Sequence, residues 1–252
     1  MNKSLLMLLT LFSLSVFAND DAAETAFAEG NRNYAEGKFE EAAASYNSII
    51  KEGYFSADLH YNLGNAYYKL DSIPKAILHY EKALRLNPRM HDAQKNLKLA
   101  QIKTIDKIEP LPDVFLSKWW KTLLNLFHPD GWASLAVAFM FIALLGIIIY
   151  LFTRTKIARK TGFILAITAV LLSLTALFLG FMKNSYLQNS TEAIVMTPTI
   201  NVYSSPTEGS TKLFVLHKGT KVDLENRSGV WVQIRISDGN EGWIKQNELA
   251  EI

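Results

Sequence analysis

Two uninterrupted apolar runs, Trp132 to Phe152 and Thr161 to Met182, constrain this chain more than any other feature. Neither contains an acidic or basic side chain. A helix rises about 1.5 Å per residue, so each run is long enough to cross a hydrocarbon layer about 30 Å thick. Buried core helices are the competing reading, but those keep a polar stripe, and here there are only scattered hydroxyls at Ser134, Thr168, Ser173 and Thr175. The expectation is a transmembrane helical hairpin with spans over 132–152 and 161–182. The connection 153–160 carries Arg154, Lys156, Arg159 and Lys160 and no acid. Basic residues next to a span resist translocation, which places this loop in the cytoplasm and both flanking regions on the opposite side of an inner membrane.

Once two spans are removed, the 252 residues leave room only for small soluble domains. Twenty-six basic against 24 acidic side chains, without a long like-charge run, give no electrostatic case for a nucleic-acid partner. The absence of cysteine excludes a disulfide framework, a lipoprotein anchor and a thiolate nucleophile. Residues 1–18 combine Lys3, a short apolar stretch from Leu5 to Phe17 and the small residue Ala18, the parts of a secretory signal peptide cleaved before Asn19. An uncleaved anchor is the alternative, with the same topology.

Residues 21–103 repeat at the roughly 34-residue period of helix-turn-helix arrays. In the copy over 57–90, Leu63, Gly64, Tyr67, Ala76, Tyr80, Ala83 and Pro88 occupy the small and large apolar positions. In the copy over 23–56 they are Gly30, Tyr34, Gly37, Phe39, Ala42 and Tyr46. Ala76, Ile77, Tyr80, Ala83 and Leu84 recur at helical spacing, Asn87-Pro88 stops that helix, and 91–103 reads as a capping helix. This region resembles the tetratricopeptide repeat (TPR) family. The resemblance implies an all-α fold whose concave groove binds a protein or peptide, lined here by Phe27, Asn31, Tyr34, Asp58, Tyr61, Asn62, Asn65 and Tyr68. Asn31 and Asn62 stand where one TPR subclass grips a carboxylate terminus, but Phe27, Asp92 and Asn96 replace the basic residues such a clamp needs. An extended or helical peptide fits the aromatic and amide lining better. Tyr67 and Tyr80 are expected to pack inside the repeat.

Residues 104–131 form a linker with Pro110 and Pro112, then a segment from Asp113 to about Phe127 in which Lys118, Lys121, Thr122 and Asn125 oppose a broad apolar face rich in Trp119 and Trp120. Two readings stay open, a helix lying in the membrane interface and one packed on a partner's membrane helix. His128 to Gly131 reads as a turn.

Within 192–252 the period changes to two. Val230, Val232, Ile234 and Ile236 alternate with Trp231, Gln233 and Arg235, Asp238-Gly239 signals a tight turn, and about five strands are expected. Asn201-Val202, Pro206, Lys218-Gly219-Thr220, Trp231 and Gly242-Trp243-Ile244 resemble the bacterial SH3 (SH3b) family, which implies a small all-β barrel. Tyr203 replaces the arginine usual in that family. Tyr203 and Trp231 are candidate contacts for peptide or peptidoglycan, with Trp231 also readable as a packing residue.

No nucleophile elbow, phosphate loop, metal-ligand spacing or paired carboxylate is present, and His60, His79, His91, His128 and His217 show no spacing that pairs them. No cofactor or metal is expected, and the chain reads as a non-enzyme. The order signal peptide, TPR, two spans, SH3b resembles the BatE proteins of the Bacteroides aerotolerance operon. That resemblance implies a periplasm-facing scaffold for other membrane-bound Bat proteins of von Willebrand A type in stress tolerance. The alternative is a peptidoglycan-binding accessory of an envelope hydrolase.

Overall fold

A computed structural model describes residues 22–109, 111, 115–189 and 191–252, which fall into two units, one on either side of the breaks near 112 and 190. The expected signal peptide, Pro110, Pro112 and Asp113, where the segment before the spans was expected to begin, lie outside the described residues.

The first unit joins the helical repeats to the C-terminal sheet. Its helices are α1 (22–35), α2 (Phe39–Lys51), α3 (Ala57–Lys69), α4 (Ile73–Leu86) and α5 (His91–Ile102). Ser56 caps α3 by accepting from the Leu59 amide, Pro74 opens α4 where no amide donor is needed, and Asn87-Pro88 closes it. The turn after the first helix of each repeat needs a left-handed residue. Gly37 supplies it in the first repeat at φ 78°, and Asp71 supplies it one repeat later at φ 54°. The core follows the apolar stripe, with Ala42, Tyr46, Ile49, Leu59, Leu63 and Ala66 giving way to Ile73, Ala76, Ile77, Tyr80, Leu97 and Ala100.

The sheet comprises β1 (Glu192–Val195), β2 (Thr199–Tyr203), β3 (Lys212–His217), β4 (Lys221–Ser228), β5 (Trp231–Arg235), β6 (Glu241–Lys245) and β7 (Leu249–Glu251). It is antiparallel in the order β3-β2-β6-β5-β4-β1-β7. Seven strands therefore stand where about five were expected. Of the two extra ones, β7 has three residues, too few for a period to show, and β2 covers the residues read only for their Asn201-Val202 motif. The Asp238-Gly239 turn forms as read, with Gly239 at φ 90° and the Asn240 amide donating to Asp238. Val230 corrects the expected alternation: it is 67% exposed, because it sits in the turn after Gly229 and the strand begins only at Trp231. Val232, Ile234 and Ile236 do face the core.

Strand β1 knits helices and sheet together. Ala193 and Val195 enter the barrel core, while Ile194 between them enters the helical core beside Ile73, Ile77 and Leu97. A strand's two faces alternate, so one short strand serves two cores. Met196, Ala250 and Ile252 pack on the same helical side. Around this seam Lys221 bridges Glu81 of α4 at 2.9 Å and Glu192 of β1 at 3.0 Å. Arg85 Nη1 donates to the Ile252 carbonyl. Asp106 accepts from the His217 amide at 2.7 Å, the His217 ring at 2.7 Å and the Thr220 hydroxyl at 2.6 Å. Burial works to raise the Asp106 pKa, but the hydrogen bonds from Thr220 and His217 outweigh it and hold the carboxyl below its usual range.

The second unit is α6 (Phe115–Leu124), α7 (Pro129–Phe152) and α8 (Lys156–Asn189). Both long helices are long and apolar enough to cross a membrane. Their seam is made of small residues: Ala136, Ala143 and Gly146 from α7, and Gly162, Ala166, Ala169, Ser173 and Ala176 from α8. At Gly146 the backbones come so close that a Cβ would lie 2.7 Å from the Ala166 nitrogen. Ser173 donates to the Ala136 carbonyl at 2.9 Å across the seam. Helix bounds differ from the expected ones. α7 already starts at Pro129, since proline is favoured in a first turn, and α8 starts at Lys156, so only 153–155 connect them. Arg154 lies in that turn, while Lys156, Arg159 and Lys160 ride on the first turns of α8, all exposed. α6 lays Leu124, Trp120 and Leu123 against Trp132, Ala136, Ala176 and Leu179.

Candidate protein-binding groove

The inner helices α1, α3 and α5 carry a polar ladder that repeats with the fold. In the first repeat the Tyr46 hydroxyl donates to Asn31 Oδ1 at 2.7 Å, and Asn62 Nδ2 donates to the same oxygen at 3.0 Å. One repeat later Tyr80 donates to Asn65 Oδ1 at 2.8 Å, and Asn96 Nδ2 donates to it at 2.8 Å. Each tyrosine ring packs against the glycine immediately before its asparagine partner. A Cβ on Gly30 would sit 2.5 Å from the Tyr46 ring and one on Gly64 would sit 2.7 Å from the Tyr80 ring. The glycine makes space for the ring, and the asparagine satisfies the hydroxyl that the ring carries inward. Burial raises the pKa of both phenols, that of Tyr46 to about 12, so they stay neutral donors.

Of the eight groove residues expected from sequence, Tyr34, Asn65 and Tyr68 converge on a cavity of about 180 Å³, together with Lys69, Tyr80, Asn96 and Leu99. Tyr61 stands beside it, tilted on Tyr80 with ring centroids 6.2 Å apart and its hydroxyl accepting from Asn96 at 3.3 Å. Phe27 holds the equivalent place on Tyr46 at 5.8 Å. Asn31 and Asn62 bond each other in the ladder, and Asp58 is an exposed residue in the first turn of α3. Burial, then the neighbouring Tyr61, raises the Tyr34 pKa. Above the Tyr68 ring sits Lys103 Nζ, 4.7 Å from its centroid and paired with Asp71. The cavity thus combines aromatic faces, an amide pair and a cationic rim.

Asn96, Lys69 and Leu99 were not among the expected lining residues. Asn96 had a signal: it stands one repeat after Asn62, and the ladder uses the two alike. A second correction concerns histidine. His60 and His79 do pair, with Nδ1 atoms 3.1 Å apart and rings stacked at 5.3 Å, and Tyr67 stacks on His79 at 5.5 Å. Burial pushes His60 down to about 4 and His79 to about 3, so both are neutral near pH 7, and one Nδ1–H donates to the other ring. Their separation along the chain, across two helices of one repeat, hides this contact from any local pattern.

In the barrel, Trp231 is 7% exposed and meets Tyr203 edge-on at 5.6 Å, with Lys245 Nζ 5.7 Å from the indole. Packing explains most of its surface.

The geometry of both modules agrees with what they match. Residues 57–90 match the tetratricopeptide repeat model, and residues 198–250 match that of the bacterial SH3 domain. The chain therefore carries a TPR repeat and an SH3b domain, two folds of recognition type. The 23–56 segment falls outside the matched residues, yet its Gly30, Asn31 and Tyr46 contacts reproduce those of the matched repeat. A solved structure titled "TPR2B-domain:pHsp70-complex of yeast Sti1" is 23% identical over 59% of this chain and 95% of that one, with a TM-score of 0.31. Among curated proteins none matches this chain.

Proposed function

We propose that this chain is a non-catalytic, membrane-anchored adaptor whose TPR groove takes an extended or helical segment of a protein partner. The observation that carries this reading is the cavity between Tyr34, Asn65, Tyr68 and Asn96: aromatic faces bury apolar side chains of a peptide while amides meet its backbone. The internal satisfaction of Asn31, Asn65 and Tyr80 means the groove is pre-formed, so little ordering is needed on binding.

In this reading α7 and α8 anchor the chain in the inner membrane, the turn with Arg154 lies in the cytoplasm, and the TPR–SH3b unit stands in the periplasm. Its order of parts, similar to the BatE arrangement, supports partners among membrane-bound Bat proteins with von Willebrand A domains and a role in stress tolerance. The SH3b match supports a second reading, a barrel that binds peptidoglycan beside a hydrolase. Co-sedimentation of the protein with purified cell wall tests that alternative.

For the groove, a photocrosslinking residue at Tyr68 in the full chain should capture a defined partner in cells, and Tyr34→Ala should abolish the adduct. Equal capture from the outer-face position Lys51 would refute it. Asn65→Ala is unsuitable as a test, because Asn65 also holds Tyr80. For topology, the lack of cysteine allows single cysteines at Thr155 and Lys212. An impermeant thiol reagent should label Lys212→Cys and spare Thr155→Cys.

A further inference from the structure

We propose that the recess between α6 and the last turns of α8 binds an anionic phospholipid, its phosphodiester beside Lys183 and its acyl chains against Trp120, Leu124 and Met182. This rests on the reading of α7 and α8 as membrane spans.

The argument starts from a charge that is buried without a counter-charge. Lys183 is 2% exposed. Its ammonium donates to the neutral Asn125 Oδ1 at 2.6 Å and lies 5.8 Å from the Tyr186 ring centroid, and among the described residues no carboxylate pairs with it. Between Val114 and Thr191 the chain contains a single acid, Asp130, which is 95% exposed and sits beside His128. Burying an ammonium without an anion is strongly unfavourable. Lysines are normally neutralised, paired or brought to the surface, and this one is held inside by α6.

Beside it lies a mainly apolar recess of about 360 Å³. Its walls divide by chemistry: Trp120, Leu124 and Met182 are apolar, while Lys121, Ser185 and Asn125, behind which Lys183 lies, bring polar and cationic groups. Met182 ends the apolar run of α8 and Lys183 follows it, so the recess stands at the depth where hydrocarbon gives way to headgroups. α6 exposes Phe115, Leu116 and Trp119 at the same level, a surface suited to acyl chains. A phospholipid meets both halves of the recess at once, its anion at the Lys121 and Asn125 end, with Lys183 directly behind Asn125, and its chains on the apolar wall. Inorganic phosphate meets only the first.

The test uses the full chain in nanodiscs of phosphatidylcholine with and without phosphatidylglycerol, followed by native mass spectrometry after transfer to detergent. Phosphatidylglycerol should be retained about fivefold over phosphatidylcholine, the ratio that one basic contact to an anionic lipid carries. Lys183→Met and, independently, Ser185→Trp should both remove that preference while keeping the helical circular dichroism of the wild type. Retention of phosphatidylglycerol by Lys183→Met at the wild-type level, or no preference in the wild type, overturns the proposal. So does equal thermal stabilisation of the detergent-solubilised chain by inorganic phosphate, which would identify a free anion as the ligand. Release of the chain from membranes by alkaline carbonate would instead refute the spans themselves.

Discussion

The two units of this protein solve packing in opposite ways. In the TPR–SH3b unit the large apolar side chains are inside: Leu63, Ile77, Tyr80, Ile194, Ile234 and Ile244 are almost fully buried. In the hairpin the small residues are inside and the large ones outside, with Ala169, Ser173 and Ala176 in the seam while Leu171, Leu174 and Phe178 are more than half exposed. Water drives the first arrangement, because burying each leucine removes apolar area from it. Within a membrane, the location proposed for it, the second gains nothing from that effect. It relies on close backbone approach at Gly146 and Gly162 and turns its apolar bulk outward, an arrangement that suits an apolar solvent. The difference teaches that the direction in which large side chains point reports the surrounding medium.

Truncating matched leucines should break the symmetry between the units most sharply. Leu63→Ala leaves a cavity in the helical core and should cost about 3 to 4 kcal/mol, whereas Leu174→Ala, on the outer face of α8, should change hairpin stability by less than about 0.5 kcal/mol in detergent. Equal losses in the two denaturation curves would mean that the outer face of the hairpin is covered by protein. Reversing the size change, Gly146→Leu should cost about 3 kcal/mol in the hairpin, since the clash is with backbone and cannot be relieved by a rotamer. Its measure is thermal unfolding of the second unit, with the first unit unaffected.

Removing the cation at the junction of helices and sheet comes next. Lys221→Ala leaves Glu81 and Glu192 facing each other and should lower the stability of the first unit by about 2 kcal/mol, less than for a fully buried pair. One cooperative transition for helices and sheet in the wild type, split into two in the variant, would sharpen the case that β1 couples them.

The smallest effect at neutral pH is that of the histidine pair. Both imidazoles titrate below the ordinary 6.5 in the folded chain. The unfolded chain therefore binds protons that the folded one does not, and stability is fully present above about 6.5 and declines as the pH falls toward 4 and then 3. Asp106, whose pKa is also lowered, adds to the loss further down. Urea midpoints at pH 7 and pH 5 should differ in the wild type and differ less in His79→Gln; identical slopes would remove the pair from the account.

Much of this architecture was legible because its signals are local. The apolar runs, the recurrence of Gly30 and Tyr46 as Gly64 and Tyr80, and the Asp238-Gly239 turn each lie within one window of sequence. Helix ends were less so, since Pro129 and Lys156 lie among residues that suit either a turn or a first helical turn. Of the candidate site, the tyrosines and asparagines were readable from their positions in the repeat, but which of them line the cavity was not. Asn31 and Asn65 look equivalent in sequence and accept equivalent bonds, from Asn62 and Asn96, yet it is Asn65 that borders the cavity, where Asn96 and Leu99 of α5 add a wall.

The amino-acid order alone determined the helical period, the two long apolar runs and most of the strand alternation, since each follows from the conformational preferences and hydropathy of neighbours in the chain. Tertiary structure decided the rest: that Ile194 serves the helical core while Ala193 and Val195 serve the barrel, that His60 meets His79, and that Lys183 is sealed against α6. These are contacts between distant segments, and their energies depend on distance and burial that exist only after the chain has folded.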